Sequence, residues 1–227
     1  MKKIFLLLAL PLLAQAQKID KIITRAETER IETYLASNEL AGRKPFTPGI
    51  EKAAKFIAEE FDKAGLQKTN GTYLQSFSMY QSKLLSASGT LEGKVLADKQ
   101  VAIISKEASI QIDEKSGFEV ASIKEGENFG PSASRFLNVK QPTIVFLHES
   151  FGKYISRLSS RGPLKESQST VIFVVANSIP ATFKINATQQ VEKLQLSNVV
   201  GILPGKSRSN EYVIFSGHYD HLGIGKP

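Results

Sequence analysis

Two runs of β-branched and aromatic residues set the tightest limit on the fold: TIVFLH from Thr143 and TVIFVVA from Thr170. Each is apolar at successive positions, which suits a strand buried inside a sheet. Between them, FGKYISRLSS has the makings of a short helix that Gly162-Pro163 brings to an end. A strand, helix, strand unit is therefore predicted here.

Upstream, Ile22, Ile23, Ala26, Ile31, Tyr34 and Leu35 fall on an imperfect helical stripe that ends near Ser37-Asn38. ELAGRKPFTPG follows as an irregular loop marked by Gly42, Pro45, Pro48 and Gly49. Thr47 is placed to cap a second helix with Pro48 in its first position. Ile50, Ala54, Ile57, Phe61 and Ala64 then recur at steps of four and three until Gly65. After Asn70-Gly71, TYLQSFSMY reads as a strand with both faces partly covered. SGTLEGKVLADKQVAIISK reads as short β segments separated by Gly89 and Gly93, and Glu107 to Asn138 as hairpins or a meander. Asn186 opens Asn-Ala-Thr, which reads as an ordinary loop tripeptide rather than a glycosylation site. NVVGILPG and EYVIF, joined by a Pro204-Gly205 turn and a polar linker, are predicted as two neighbouring strands.

Composition narrows the function classes. The net charge of +7 includes Lys2 and Lys3, and the other basic residues form no dense block and no interleaving with aromatics. A solvated surface is expected, with no nucleic-acid partner. MKKIFLLLALPLLAQA has two lysines, an apolar run from Ile4 to Leu13 and a small-x-small ending, the pattern of a signal peptide over residues 1–16. The expected location is secreted or periplasmic. The apolar run is shorter than the roughly 20 residues of a membrane span, so no stable membrane anchor is expected. The chain has no cysteine. Disulfides, a lipid-modified cysteine and thiolate metal ligands are thereby excluded, and any metal is held by nitrogen and oxygen.

The chemistry-bearing stretch is SGHYDHLG, directly after EYVIF. In an extended chain residues two apart face the same way, so His218 and Asp220 point to one side and Tyr219 to the other. A neighbouring carboxylate orients an imidazole and raises its basicity, which is a common arrangement behind a histidine ligand. Asp220 is equally a candidate ligand itself, and a His-x-Asp pair at a strand end is also a plain surface hydrogen bond. The position after a buried strand favours a ligand site. His221 faces away if the strand continues, unless Leu222-Gly223 turns the chain. His148 also ends a strand, but in a different part of the sequence. No G-x-S-x-G elbow, dinucleotide fingerprint or phosphate loop is present.

YLASNELAGRKPFTPGIEKAAKFIAEEFDKAGL, YLQSFSM, NVVGILPG and YVIFSGHYDHLG, in that order, closely resemble the amino-terminal part of the M28 family of zinc peptidases. The resemblance implies an α/β fold, an incomplete zinc-exopeptidase-like αβα sandwich interrupted by a β-rich inserted domain. The implied division is a signal peptide at 1–16, peptidase-domain portions at 17–80 and 197–227, and an inserted domain at 81–196, which in some members of the family is of protease-associated type. It also implies an exopeptidase acting on peptides or small amide substrates, an aminopeptidase by default with carboxypeptidase activity the other option, and two zinc ions in the complete protein. His218 matches the family's first metal-ligating histidine, and Asp220 the catalytic-site aspartate that positions it. The other family ligands come later in the chain than Pro227, so the 227-residue chain alone is expected to be inactive. A catalytically inactive secreted binding module is the alternative reading.

Overall fold

The computed structural model describes residues 21, 23–208 and 210–225; the predicted signal segment lies outside the described residues. The chain is a mixed α/β protein. It divides into two units, Met1–Ala53 with Ser216–Pro227, and Ala54–Phe215.

In the first unit, α1 spans Arg25–Leu35. It begins there because the Thr24 hydroxyl accepts from the amide of Glu27 at 3.2 Å, satisfying one of the free donors of the first turn. A 3-10 turn over Asn38–Arg43 follows, in which Leu40 is fully buried. Its last residues Ala41, Gly42 and Arg43 all adopt positive φ, at 45°, 67° and 49°. Helix α2 then runs Pro48–Lys63, its residues from Ala54 onward counted in the second unit, with Pro48 in its first position as the sequence predicts. Thr47 behaves differently from the expected cap. Its hydroxyl donates to the carbonyl of Lys44 at 2.7 Å, while its own carbonyl accepts from Ile50. Of the predicted stripe, Ile50 and Ala54 are buried and Ile57 and Phe61 half-buried, whereas Ala64 is exposed and lies past the helix end.

The second unit is built on two sheets. One is five-stranded and dominated by two long strands, β1 (Leu74–Leu91) and β9 (Phe183–Val199), which pair antiparallel along nearly their whole length. Short β2 (Lys94–Val95) joins β1, and β4 (Ser109–Asp113) adds to the other side of β9. The second sheet has β3 (Val101–Ile104), β5 (Glu119–Ile123), β6 (Thr143–Leu147) and β8 (Val171–Val175) in the order β3-β8-β6-β5. β6 pairs parallel with β8, joined through a 3-10 turn at Glu149–Tyr154 and α4 (Ile155–Ser159), which is the predicted strand, helix, strand unit. Helix α3 (Phe129–Ser134) precedes β6, and β7 (Leu164–Lys165), which pairs with β1, precedes β8.

The alternation along β6 and β8 explains why both runs are apolar throughout. Val145, Leu147, Val171 and Phe173 pack in one cluster with Phe151, Ile155 and Leu158 from the helical connection and Ala133 from α3. Ile144, Phe146, Ile172 and Val174 face the other way and pack with Ile110 and Ile112 of β4 and Phe183, Ile185 and Ala187 of β9. The four-stranded sheet is thus covered by helices on one face and by the other sheet on the opposite face, which removes any wet side from its central strands.

The structure corrects four sequence expectations. Gly89 does not interrupt a strand: β1 runs through it, and a Cβ there would meet the Lys184 carbonyl oxygen at 2.2 Å, so glycine serves close strand approach. Residues 107–138 are not a self-contained hairpin, because β4 pairs with β9 and β5 with β6, in different sheets. Asn186 is not in a loop but lies in mid-strand, opposite Ser88 on one side and Gln111 on the other. Tyr212 to Phe215 forms no strand. Among the described residues it has no ladder partner, and its side chains are exposed, Phe215 at 93%. An apolar run alone does not make a strand, because backbone pairing must satisfy its donors and acceptors.

Candidate functional site

The stretch after Tyr212 to Phe215 is held in the first unit by main-chain hydrogen bonds. His221 donates its amide to the carbonyl of Arg43 at 2.9 Å, and Gly223 donates to the carbonyl of Gly42 at 3.0 Å. The left-handed conformation of residues 41–43 presents these carbonyls, and non-glycine residues adopt it at a cost. The fit is close: a Cβ on Gly42 would lie 2.7 Å from the main chain of Gly223, and one on Gly223, itself at φ 84°, would lie 2.9 Å from the Cβ of Lys44.

Within this stretch the structure brings His218 and Asp220 together. Nδ1 of His218 lies 3.1 Å from the main-chain carbonyl oxygen of Asp220 and 3.5 Å from its Oδ1. The shorter contact goes to the backbone of Asp220, with the carboxylate standing behind it. Both neighbours are acceptors, so Nδ1 is the donor, and in the neutral ring the lone pair then sits on Nε2. The His218 side chain is 81% exposed, so that lone pair is open to a ligand. A carbonyl or carboxylate fixing the far nitrogen is the usual support behind a metal-bound histidine.

The neighbouring residues take separate places. Tyr219 is half-buried; burial, and then the negative charge of Asp220, push its phenol above the ordinary tyrosine range. A raised folded-state value favours the folded protein below the ordinary tyrosine value. That contribution disappears as pH rises from there through the folded value. The alkaline absorbance titration of the wild type minus that of Tyr219→Phe should therefore show a phenol ionising later than free tyrosine, and Asp220→Asn should bring it part of the way back. A difference curve at the free-tyrosine position would refute the burial of this ring. His221 is exposed and enters the arrangement through its amide, not its ring. His148 lies in the other unit, where its Nδ1 meets Ser150 Oγ at 3.0 Å and its Nε2 lies 3.8 Å from Glu125. That ring is engaged locally at the start of a 3-10 turn.

The residue that sequence reasoning missed is Arg43. Its Nε donates to the carbonyl of Tyr219 at 2.9 Å and its Nη1 donates to the carbonyl of Leu35 at the end of α1. Its place in the irregular GRKP loop was visible in the sequence, but nothing local pointed to a partner so far along the chain.

One imidazole and one aspartate do not amount to a zinc site, which takes about four ligands. Among the described residues, no group of three or more His, Asp or Glu side chains is placed to hold a metal. The residues present therefore do not fit a complete zinc centre. Among them, too, no helix is long and apolar enough to cross a membrane.

No family model matches the chain, and no curated protein does. Among solved structures it has distant matches. These include an aminopeptidase from Aneurinibacillus sp. strain AM-1, at 11% identity and TM-score 0.29 over 80% of this chain and 48% of that one. A peptidase M28 precursor from Shewanella amazonensis gives 11% identity and TM-score 0.27, over 88% of this chain and 58% of that one. BSAP, a zinc aminopeptidase from Bacillus subtilis, gives 11% identity and TM-score 0.28, over 80% and 47%. The chain spans about half the length of these proteins.

Proposed function

We propose that this chain is the amino-terminal portion of a secreted or periplasmic metal-dependent exopeptidase, an aminopeptidase that hydrolyses amino-terminal peptide bonds. His218 is its first metal ligand and Asp220 the group that orients that histidine. The observation that carries this reading is the pair of acceptors at Nδ1 of His218, which in the neutral ring puts the lone pair on the exposed Nε2. The ordered sequence blocks around residues 30–80 and 197–224 support it. In this reading residues 17–80 and 197–227 belong to the peptidase domain, residues 81–196 form its inserted domain, and the remaining ligands of a two-zinc centre lie beyond Pro227.

Zinc titration and peptide hydrolysis, run side by side on the 227-residue chain and on the protein extended along its reading frame, test the reading. The chain as given should bind zinc weakly, because affinity is assembled from several deprotonated ligands held together. It should release no amino acids. The extended protein should take two zinc ions and release amino-terminal residues from peptides. An extension without further Asp, Glu or His ligands would overturn the assignment, as would hydrolysis by the 227-residue chain alone. A cooperatively folding monomer that binds no metal at either length would make the protein a binding module instead.

A further inference from the structure

We infer that Arg43 is the positioning residue of His218, acting through the peptide plane between Asp220 and His221. The inference rests on reading His218 as the ligand-presenting histidine. Arg43 holds the chain on both sides of Asp220. Its guanidinium Nε takes the carbonyl of Tyr219 at 2.9 Å, and its own carbonyl takes the amide of His221 at 2.9 Å. A trans peptide is planar, so its N–H and C=O point in opposite directions. Fixing the His221 N–H on Arg43 therefore turns the Asp220 C=O away from Arg43. That carbonyl is the acceptor 3.1 Å from Nδ1 of His218.

The geometry of Arg43 itself supports this role. It is half-buried, and it sits at φ 49°, a conformation that disfavours any residue with a Cβ. Without a compensating interaction, glycine or asparagine would serve there better. The compensation is the fork: Nη1 donates to the carbonyl of Leu35, at the end of α1 where carbonyls lack helical partners, while Nε reaches Tyr219. A lysine has the charge but no planar fork, so it cannot hold two carbonyls in fixed directions.

The test reads the imidazole nitrogens of His218 by two-dimensional ¹⁵N NMR on the full chain without metal, above the pH at which histidine rings are protonated. In the wild type His218 should be the Nδ1–H tautomer, and a scalar coupling should link Arg43 Nε–H to the Tyr219 carbonyl carbon. In Arg43→Met and Arg43→Lys the ratio of Nδ1–H to Nε2–H at His218 should fall about tenfold, the weight of one ordinary hydrogen bond. The ring signals of His148 should stay unchanged as the measure of an intact second unit, and the amide signals of α1 as that of the first. Unchanged His218 tautomers in a folded Arg43→Met would overturn the inference. Should both variants fail to fold, the wild type decides: an Nε2–H tautomer at His218, or no coupling to Tyr219, overturns it. Because no metal is used, failure here leaves the zinc titration standing, and failure of zinc binding leaves this result standing.

Discussion

Phe146→Ala should destabilise the second unit by about 3–5 kcal/mol, the usual range for removing a buried phenylalanine. Phe146 is 1% exposed, in β6 one residue before its end. Its ring meets that of Phe183 on β9 edge-on, with centroids 5.6 Å apart, so one side chain ties the four-stranded sheet to the five-stranded one. Edge-to-face aromatic pairs add about 1 kcal/mol beyond their buried area. The cavity would be walled by Ile144, Ile172 and Val174 of the same sheet and by Ile185 of the other. Rigid strands on both sides limit collapse into it, which keeps the cost high. Urea unfolding measures the loss, and an unchanged denaturant slope would show that the effect is on stability rather than on the denatured state. Phe215→Ala is the matched control: an exposed phenylalanine should shift stability by no more than about 0.5 kcal/mol. Equal effects at the two positions would mean that the two sheets do not share this core.

The same two residues show what a sequence can and cannot say about this fold. TIVFL and VIFVV were readable because their burial on both faces leaves no polar position. YVIF looks the same in composition, yet it forms no strand and stays exposed, because being a strand depends on a partner that no local pattern reveals. The reverse error occurred at β9. Phe183, Ile185, Ala187 and Gln189 are buried at every second position, a strict strand period. The small Ala187 and polar Gln189 masked it, and the amide of Gln189 is satisfied by donating to the carbonyls of Ser105 and Glu107. The β1 and β9 pairing, which organises the larger sheet, joins segments about a hundred residues apart and so leaves no short-range trace.

The site divides in the same way. That His218 and Asp220 meet follows from their spacing of two. That the nearer acceptor is the Asp220 backbone rather than its carboxylate does not, because it depends on how the following peptide is rotated. That rotation is set by a loop 176 residues away from Tyr219 in sequence. Glycine-rich punctuation marked the loop as irregular. It could not show that three consecutive left-handed residues turn two carbonyls toward His221 and Gly223.

Gly49→Ala separates a local effect from a packing effect by the sign of its outcome. Gly49 is the second residue of α2, and on propensity alone alanine should stabilise a helix by up to about 1 kcal/mol. Its surroundings reverse that expectation. A Cβ at this position would lie 2.0 Å from the carbonyl oxygen of Leu40 and 2.8 Å from its carbonyl carbon, and neither is the movable end of a side chain. Leu40 is fully buried, so it cannot step aside without opening its own packing. Overpacking of this kind costs about 1–3 kcal/mol and more where main chain must move, so a net loss on the order of 3 kcal/mol is expected. Leu40 directly precedes the left-handed run at Ala41, Gly42 and Arg43. Displacing it should disturb the carbonyls that hold His221 and Gly223, and amide exchange at those two residues should accelerate with the loss of stability. Amides of β6 belong to a core built from other residues and should keep their protection. A stabilised Gly49→Ala would show that the start of α2 does not press on Leu40. A destabilised variant with unchanged exchange at His221 and Gly223 would disconnect that contact from the loop that holds the His218 segment.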